Sequence, residues 1–120
     1  MSRKTIIIYN DPQGKEPFAE WLKSIKDIKN KNRILARLNR IQLGNPGDYK
    51  YLGDGVSELR FHFGSGYRIY YGEIDNIIVL LLCAGDKNTQ ERDILKAKNY
   101  FKEYKELSKW EKWGTLMIIW

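Results

Sequence analysis

Cysteine and histidine each occur once in the 120 residues, as Cys83 and His62. A disulfide framework needs paired cysteines, and a zinc site of cysteines and histidines needs about four ligands, so both are excluded. The acids Glu58, Asp86 and Asp93 are scattered along the chain, which argues against a carboxylate metal site. We therefore expect no metal and no cofactor, and we expect Cys83, inside an apolar run, to be buried in a reducing compartment.

Long hydrophobic runs are also missing. The N-terminal Met-Ser-Arg-Lys precedes only a few apolar residues, too few for a signal peptide, and no run approaches the length of a membrane span. We therefore expect a cytoplasmic protein without a membrane partner. Lysine and arginine number 21 against 15 acidic residues, a net charge of +6. This excess favours a polyanionic partner, although many basic domains bind no nucleic acid.

The apolar spacing predicts an α+β domain with the element order β-α-α-β-β-β-α. Pro17 suits the first turn of a helix, and a polar interruption from 26 to 32 separates that helix from a second one that ends at Gly44. The last three strands are joined locally, so we expect them to be antiparallel, with the helices collected on one face of a small sheet. The predicted elements are strands at 5–9, 57–63, 67–74 and 77–83, a helical hairpin at 16–43, and a third helix from a capping box of Asn88 and Glu91.

The stretch from Gly55 to Gly72 organises this prediction, because polar and apolar residues alternate on both sides of a glycine-rich turn. One set of side chains should face the core, namely Leu59, Phe61, Phe63, Tyr67, Ile69 and Tyr71. The other set should form an exposed cationic and aromatic face, namely Glu58, Arg60, His62, Arg68 and Tyr70. A slip of one residue would exchange Tyr70 and Tyr71.

Two further features complete the prediction. On the second helix, Arg33, Arg37 and Arg40 recur at four and three residues and form a basic stripe, which either solubilises an exposed flank or contacts phosphates or a partner. We divide the chain into a domain at 1–108 and a hydrophobic tail at 109–120. The tail should pack on the domain or make a subunit contact, which would give a homo-oligomer.

Four ordered stretches of the chain resemble the addiction-module killer proteins of the RelE/ParE toxin superfamily, in its HigB-like branch. They are Leu43–Asp48, Gly55–Arg60, Gly66–Tyr71 and Leu80–Gln90, the last followed by Asp93, Ile94 and Ala97. The resemblance covers about residues 5 to 98, and four motifs in order are more specific than any one of them. Ala84 differs from the family pattern, in which a second glycine is common.

This resemblance implies a type II toxin that cuts messenger RNA in the ribosome and is neutralised by an antitoxin, with a helix-turn-helix protein encoded next door as the expected antitoxin. Cleavage without metal needs a base for the 2′-hydroxyl, an acid for the leaving oxygen and cations for the phosphoryl charge. The candidate catalytic residues are Arg68, Arg60, Tyr70, Lys87 and His62, and the candidate RNA-binding residues are Arg33, Arg37 and Arg40.

Other interpretations of these residues stay open. Arg60 could pair with Glu58 or a neighbouring acid across the sheet, and Arg68 could pair with Glu73 or Asp75. Lys87 could only support a helix start. Two other classes of function are also compatible with the sequence. One is a non-enzymatic poison of gyrase, as in the ParE branch, and the other is a basic module that acts only with a partner protein.

Overall fold

The computed structural model describes residues 3–119, with side chains described up to residue 108. Its elements are β1 (Thr5–Ile8), α1 (Pro17–Ser24), α2 (Ile28–Gln42), β2 (Tyr49–Gly53), β3 (Val56–Arg60), β4 (Tyr67–Ile74), β5 (Ile78–Asp86), a 3₁₀ turn (Lys87–Thr89) and α3 (Gln90–Ile119). No helix in the described part of the chain is long and apolar enough to cross a membrane.

The five strands form one mixed sheet in the order β1-β5-β4-β3-β2. Strand β1 pairs with β5 in parallel, and β2 to β5 are joined in antiparallel pairs. The expected α+β class is confirmed, and so is the antiparallel pairing of the last three predicted strands. The predicted element order lacked one strand. The turn residues from 44 to 55 predict an irregular segment in which 49–52 could be briefly extended, and the structure forms the edge strand β2 there.

The additional strand depends on a tight turn at Asp54 and Gly55. Both residues have positive φ, 55° and 79°, and they connect Gly53 to its pairing partner Val56. Two central residues with positive φ are typical of a type I′ hairpin turn, which Asp-Gly favours strongly. The Asp-Gly pair was therefore the sequence signal for this hairpin.

The next hairpin turn is longer than predicted. Strand β3 ends at Arg60, three residues before its predicted end, because Gly64 and Gly66 both adopt positive φ and the Gly66 N–H donates to the Phe63 carbonyl at 3.1 Å. Strand β5 extends to Asp86, three residues beyond its predicted end.

Helices cover both faces of the sheet, so the prediction that they lie on one face was wrong. Helices α1 and α2 pack on the first face, around a cluster of buried residues that we call the lower core: Phe18, Ile25, Ile34, Leu38, Ile41, Leu59, Phe61, Ile69, Tyr71, Val79 and Leu81, with Trp21 and Leu22 against it. Helix α3 packs on the second face, around an upper core: Tyr9, Val56, Tyr70, Leu80, Leu82, Cys83, Ala97 and Phe101. The apolar run in β5 is consistent with burial on both sides.

The helix starts differ from the sequence prediction in two places. Asp27 caps α2, with its carboxylate accepting from Asn30 N–H at 3.2 Å, so α2 begins within the expected polar interruption. Asp86 and Thr89 form the capping box before α3, in place of the predicted Asn88 and Glu91. Asp86 is the capping residue because it lies at the end of β5, where its carboxylate accepts a hydrogen bond from Asn88 N–H at 2.9 Å.

Helix α3 continues to Ile119, so the predicted boundary at residue 108 falls inside one helix rather than between two units. The predicted packing or self-association of the tail concerns side chains at 109–120, which lie outside the described residues. Cys83 is buried, as predicted, and burial raises the pKa of its thiol to about 12.

Candidate active site

Four predicted polar residues lie side by side on β3 and β4. Glu58 is directly opposite Tyr70, and Arg60 is directly opposite Arg68. Since side chains alternate along a strand, all four project from the upper face of the sheet, where α3 begins. The structure therefore brings together three of the predicted catalytic residues, together with an acid that was not among them.

Glu58 is the centre of this group. Its side chain is completely buried, and each carboxylate oxygen has one partner: Oε1 accepts from Arg60 Nε at 3.1 Å and Oε2 accepts from Gln90 Nε2 at 2.7 Å. A buried carboxylate requires such partners, because its desolvation is otherwise costly. The sequence indicated Glu58 as a potential partner of Arg60, and it indicated Gln90 only as the end of the fourth motif.

Arg60 is attached to Glu58 by one nitrogen and is otherwise open. Its side chain is 33% exposed, and no acceptor among the described residues binds Nη1 or Nη2. Its backbone is also fixed, since Arg60 N–H donates to the Asp48 carbonyl at 3.0 Å. The end of this guanidinium is the part available to an anion.

Arg68 is buried instead of exposed. Its Nη1 donates to the carbonyls of Gly66 and Tyr67 at 3.0 Å and of Phe61 at 3.3 Å, while its buried Nε has no partner among the described residues. These carbonyls belong to the turn between β3 and β4. The prediction of an exposed side chain was wrong because the guanidinium is needed inside to satisfy the turn.

Tyr70 is completely buried beneath α3. Burial, followed by the negative charge of Glu58, raises the pKa of its phenol far above the ordinary value, and its hydroxyl has no hydrogen-bond partner among the described residues. The prediction that Tyr70 is exposed was therefore wrong, and the buried ring offers no surface on which a base of the RNA could stack. Tyr71 lies in the lower core, so the alternation assigned the two tyrosines to the correct faces.

Lys87 lies at the same end of the sheet. It is exposed, and its aliphatic stem covers Gly66, where an added Cβ would come within 2.5 Å of the lysine Cε. The Gly66 carbonyl is one of the acceptors of Arg68. Lys87 is thus held beside the hairpin turn, with its charge at the surface.

His62 follows the end of β3 and forms an exposed pair with Asp48, with 2.7 Å between Nε2 and Oδ2. The hydrogen bond from His62 holds the pKa of Asp48 below its usual value, against an opposing effect of desolvation, and the nearby charges of His62, Arg60 and Arg37 lower it further. Sequence reasoning missed Asp48, whose signal was its place at the end of the Gly44–Gly47 turn.

The arginine stripe of α2 lies on the opposite face of the sheet. Arg37 donates to the carbonyls of Pro46, Arg60 and Asp48 at 2.7, 2.9 and 2.6 Å, and burial lowers its pKa. Its three nitrogens hold the 46–48 loop against β3, so it serves as a structural clamp and not as a free phosphate ligand.

The other two arginines of the stripe border a surface groove of about 280 Å³ with Phe61 and Phe63. The Arg33 guanidinium stacks 3.8 Å from the centre of the Phe63 ring, and Arg40 is exposed. This groove is the part of the predicted RNA-binding stripe that has accessible cations.

No group of three or more His, Cys, Asp or Glu side chains that could hold a metal occurs within the described part of the chain. Protein-family models give no match to the sequence. The chain is 47% identical over 81 residues to an uncharacterized protein of Haemophilus influenzae (strain ATCC 51907 / DSM 11121 / KW20 / Rd), an alignment that covers 68% of this chain and 82% of that protein.

Proposed function

We propose that this chain, which belongs to the same family as the uncharacterized Haemophilus influenzae protein, is the toxin of a type II toxin–antitoxin system and an endoribonuclease that inhibits translation by cutting messenger RNA. The observation that carries the proposal is the set of four ordered motifs, whose polar residues include Arg60, Arg68 and Lys87. The mixed sheet between a helical hairpin and a C-terminal helix is compatible with a RelE-like fold.

The geometry supports a cationic site at the end of β3. Arg60 has its terminal nitrogens open, Lys87 is exposed at the neighbouring turn, and His62 lies two residues beyond Arg60. Each of these groups is on or beside the same end of the sheet. A site of this kind can bind a phosphodiester and stabilise the negative charge that develops on it.

The proposed reaction is an internal transesterification. The 2′-oxygen of the RNA attacks the adjacent phosphorus, the bond from phosphorus to the 5′-oxygen breaks, and the products are a 2′,3′-cyclic phosphate and a 5′-hydroxyl. His62, oriented by Asp48, is the candidate to take the 2′-proton. Arg60 stabilises the phosphoryl oxygens, and Lys87 is the candidate proton donor to the leaving oxygen.

Arg68 and Tyr70 have different roles in this proposal. Arg68 supports the site by fixing the β3–β4 turn, because its guanidinium is directed to backbone carbonyls. Tyr70 supports it by filling the space beneath α3. The expected antitoxin, encoded next door, would neutralise the toxin by covering the basic groove of Arg33 and Arg40 or the end of β3.

The test is to add the purified protein to a translation extract and to map the messenger by primer extension. Discrete new 5′ ends are expected with the wild type, and Arg60→Ala and His62→Ala should each lose most of them. Arg3→Ala is a matched control, because it removes an exposed positive charge at the N-terminus.

Unbroken messenger in the extract would contradict the endoribonuclease proposal. DNA damage under the same conditions would favour the gyrase poison. The absence of both messenger cleavage and DNA damage would favour the binding module. In cells, induction of the wild type without the antitoxin should arrest growth. Cells that express the Arg60→Ala variant should continue to grow.

A further inference from the structure

The Glu58 carboxylate is placed to orient Arg60 rather than to neutralise it. It contacts the guanidinium only through Nε, at 3.1 Å. A carboxylate that bound Nη1 and Nη2 would occupy the end of the arginine, whereas binding at Nε leaves that end free. A contact at Nε therefore restricts the orientation of the guanidinium and leaves the donors on Nη1 and Nη2 unused.

The carboxylate is itself fixed. Glu58 is completely buried, and Gln90 from the first turn of α3 donates to its second oxygen at 2.7 Å. A buried side chain with both oxygens engaged has few alternative positions. The direction of Arg60 is thus set by a chain of contacts that runs from α3 through Gln90 and Glu58.

We infer that Glu58 and Gln90 are positioning residues that hold Arg60 as a preformed two-pronged donor for a phosphate of single-stranded RNA. The identity of the anion rests on the proposed function. A flexible arginine would lose side-chain entropy when it binds a phosphate, and this arrangement has removed part of that freedom before binding.

Charge and orientation predict opposite effects, which makes the inference testable. Replacing Glu58 with methionine removes the negative charge and both acceptor oxygens at nearly constant side-chain length, so a purely electrostatic role predicts tighter RNA binding. If Glu58 orients Arg60, the same substitution should weaken binding about tenfold, the loss expected for one charge-assisted contact. Glu73→Gln is the matched control, since Glu73 is an exposed acid on β4 that pairs with Lys4.

The experiment is a double-mutant cycle with a short oligouridylate, read as fluorescence anisotropy at several salt concentrations. Glu58→Met and Arg60→Ala should each weaken binding and each lower the salt slope by about 0.7, the value for one phosphate contact on a single strand. The double variant should bind no more weakly than Arg60→Ala alone, because Glu58 acts through Arg60. The Glu73→Gln control should bind as tightly as the wild type or tighter.

A second variant protects the test against misfolding. Gln90→Met keeps the length of the side chain but removes the donor to Glu58, and its effect should also vanish in the Arg60→Ala background. Melting curves accompany every variant, since a purely structural role would lower the melting temperature and weaken RNA binding equally in both backgrounds.

Three outcomes would overturn the inference: equal or tighter binding by Glu58→Met, additive losses in the cycle, or no binding of oligouridylate by the wild type. Failure of the proposed function is read separately. If the cycle holds but the translation extract shows no cleavage, the positioning of Arg60 stands and the endoribonuclease proposal fails.

Discussion

The two faces of the sheet bury different kinds of side chain. The lower core, under α1 and α2, is made of aliphatic and aromatic side chains, and its arginines lie at the rim. The upper face, under α3, buries Glu58, Arg68 and Asp93 among its apolar residues. The lower face therefore resembles an ordinary hydrophobic core, while the upper face combines packing with a fixed polar network. This difference shows where stability and the proposed chemistry are concentrated.

On the upper face, α3 also approaches the backbone of the sheet closely at two glycines. A Cβ added to Gly85 would lie 2.0 Å from Asp93 Oδ2 and 2.5 Å from Thr89 Oγ1, and one added to Gly72 would lie 2.6 Å from the Phe101 ring. Glycine at these strand positions leaves room for the helix. The contacts of the polar network depend on this short separation.

The largest expected effect is on the lower face. Leu59 is completely buried there, so Leu59→Ala should lower the free energy of unfolding by about 3 kcal/mol through lost burial and a residual cavity. Urea denaturation measures it. The exposed Leu95→Ala is the matched control and should change stability by less than about 0.5 kcal/mol. Equal losses for the two variants would contradict the assignment of the core.

On the upper face, Gly85→Ala should lower the free energy of unfolding by about 2 kcal/mol, because the new methyl group displaces Asp93 and Thr89. Gly14→Ala is the control, since Gly14 has positive φ but no atom within 4 Å of an added Cβ. That variant reports backbone strain alone, about 1 kcal/mol. If Gly85→Ala lowers the free energy of unfolding by less than Gly14→Ala does, α3 does not pack against Gly85 as closely as the structure indicates.

Arg68→Ala should lower the free energy of unfolding by about 1.5 kcal/mol, because the carbonyls of the β3–β4 turn lose a charged donor. Arg68→Lys should recover part of this loss, since one ammonium can still reach some of the acceptors. If Arg68→Ala melts like the wild type but abolishes growth arrest, the residue acts on the substrate and not on the turn.

Tyr70→Phe tests the unpartnered hydroxyl of the upper face. Because this hydroxyl is buried without a hydrogen bond to any described residue, its removal should leave the free energy of unfolding unchanged or raise it by about 1 kcal/mol. Messenger cleavage should persist. A stable variant without cleavage would return the Tyr70 hydroxyl to the list of catalytic groups.

The smallest effect concerns the exposed pair of Asp48 and His62. The folded state lowers the pKa of Asp48 from its ordinary value of 3.8, so the contribution to stability is present above that value and is lost as the pH falls through the lowered pKa. Urea midpoints for the wild type and His62→Ala should differ slightly at pH 6 and converge below pH 3 or so. If the two urea midpoints differ by the same amount at every pH in this range, the Asp48–His62 pair is not the cause of the difference.

Local patterns predicted much of the fold correctly. The alternation in residues 57–71 assigned Leu59, Ile69 and Tyr71 to one face and Tyr70 to the other, because the period of two is a property of the strand itself. The first two helices carry apolar residues at three- and four-residue spacing, and Trp21, Leu22, Leu38 and Ile41 among them pack in or against the lower core. The hairpin at Asp54 and Gly55 was missed although its signal was local.

The candidate site was predicted only in part. Its arginines were identified by type and order, but the exposure expected of Arg68 and Arg37 was wrong. Arg68 donates to backbone carbonyls of the adjacent β3–β4 turn, and Arg37 donates to carbonyls of the 46–48 loop and of β3. Glu58, Gln90 and Asp48 acquired their importance from contacts across 32 or 14 positions of the sequence. No local period encodes such contacts.

By itself, the sequence determined the residue types, the strand and helix periods, the basic charge and the motifs that suggest a ribonucleolytic toxin. Only the tertiary structure decided that α3 covers the face carrying Glu58, which buried Arg68 against the carbonyls of the β3–β4 turn and left Arg60 with its terminal nitrogens open. The physical reason is that strand alternation separates two faces without specifying what covers each. A polar side chain on a covered face must find partners inside, and the fold alone determines which partners are within reach.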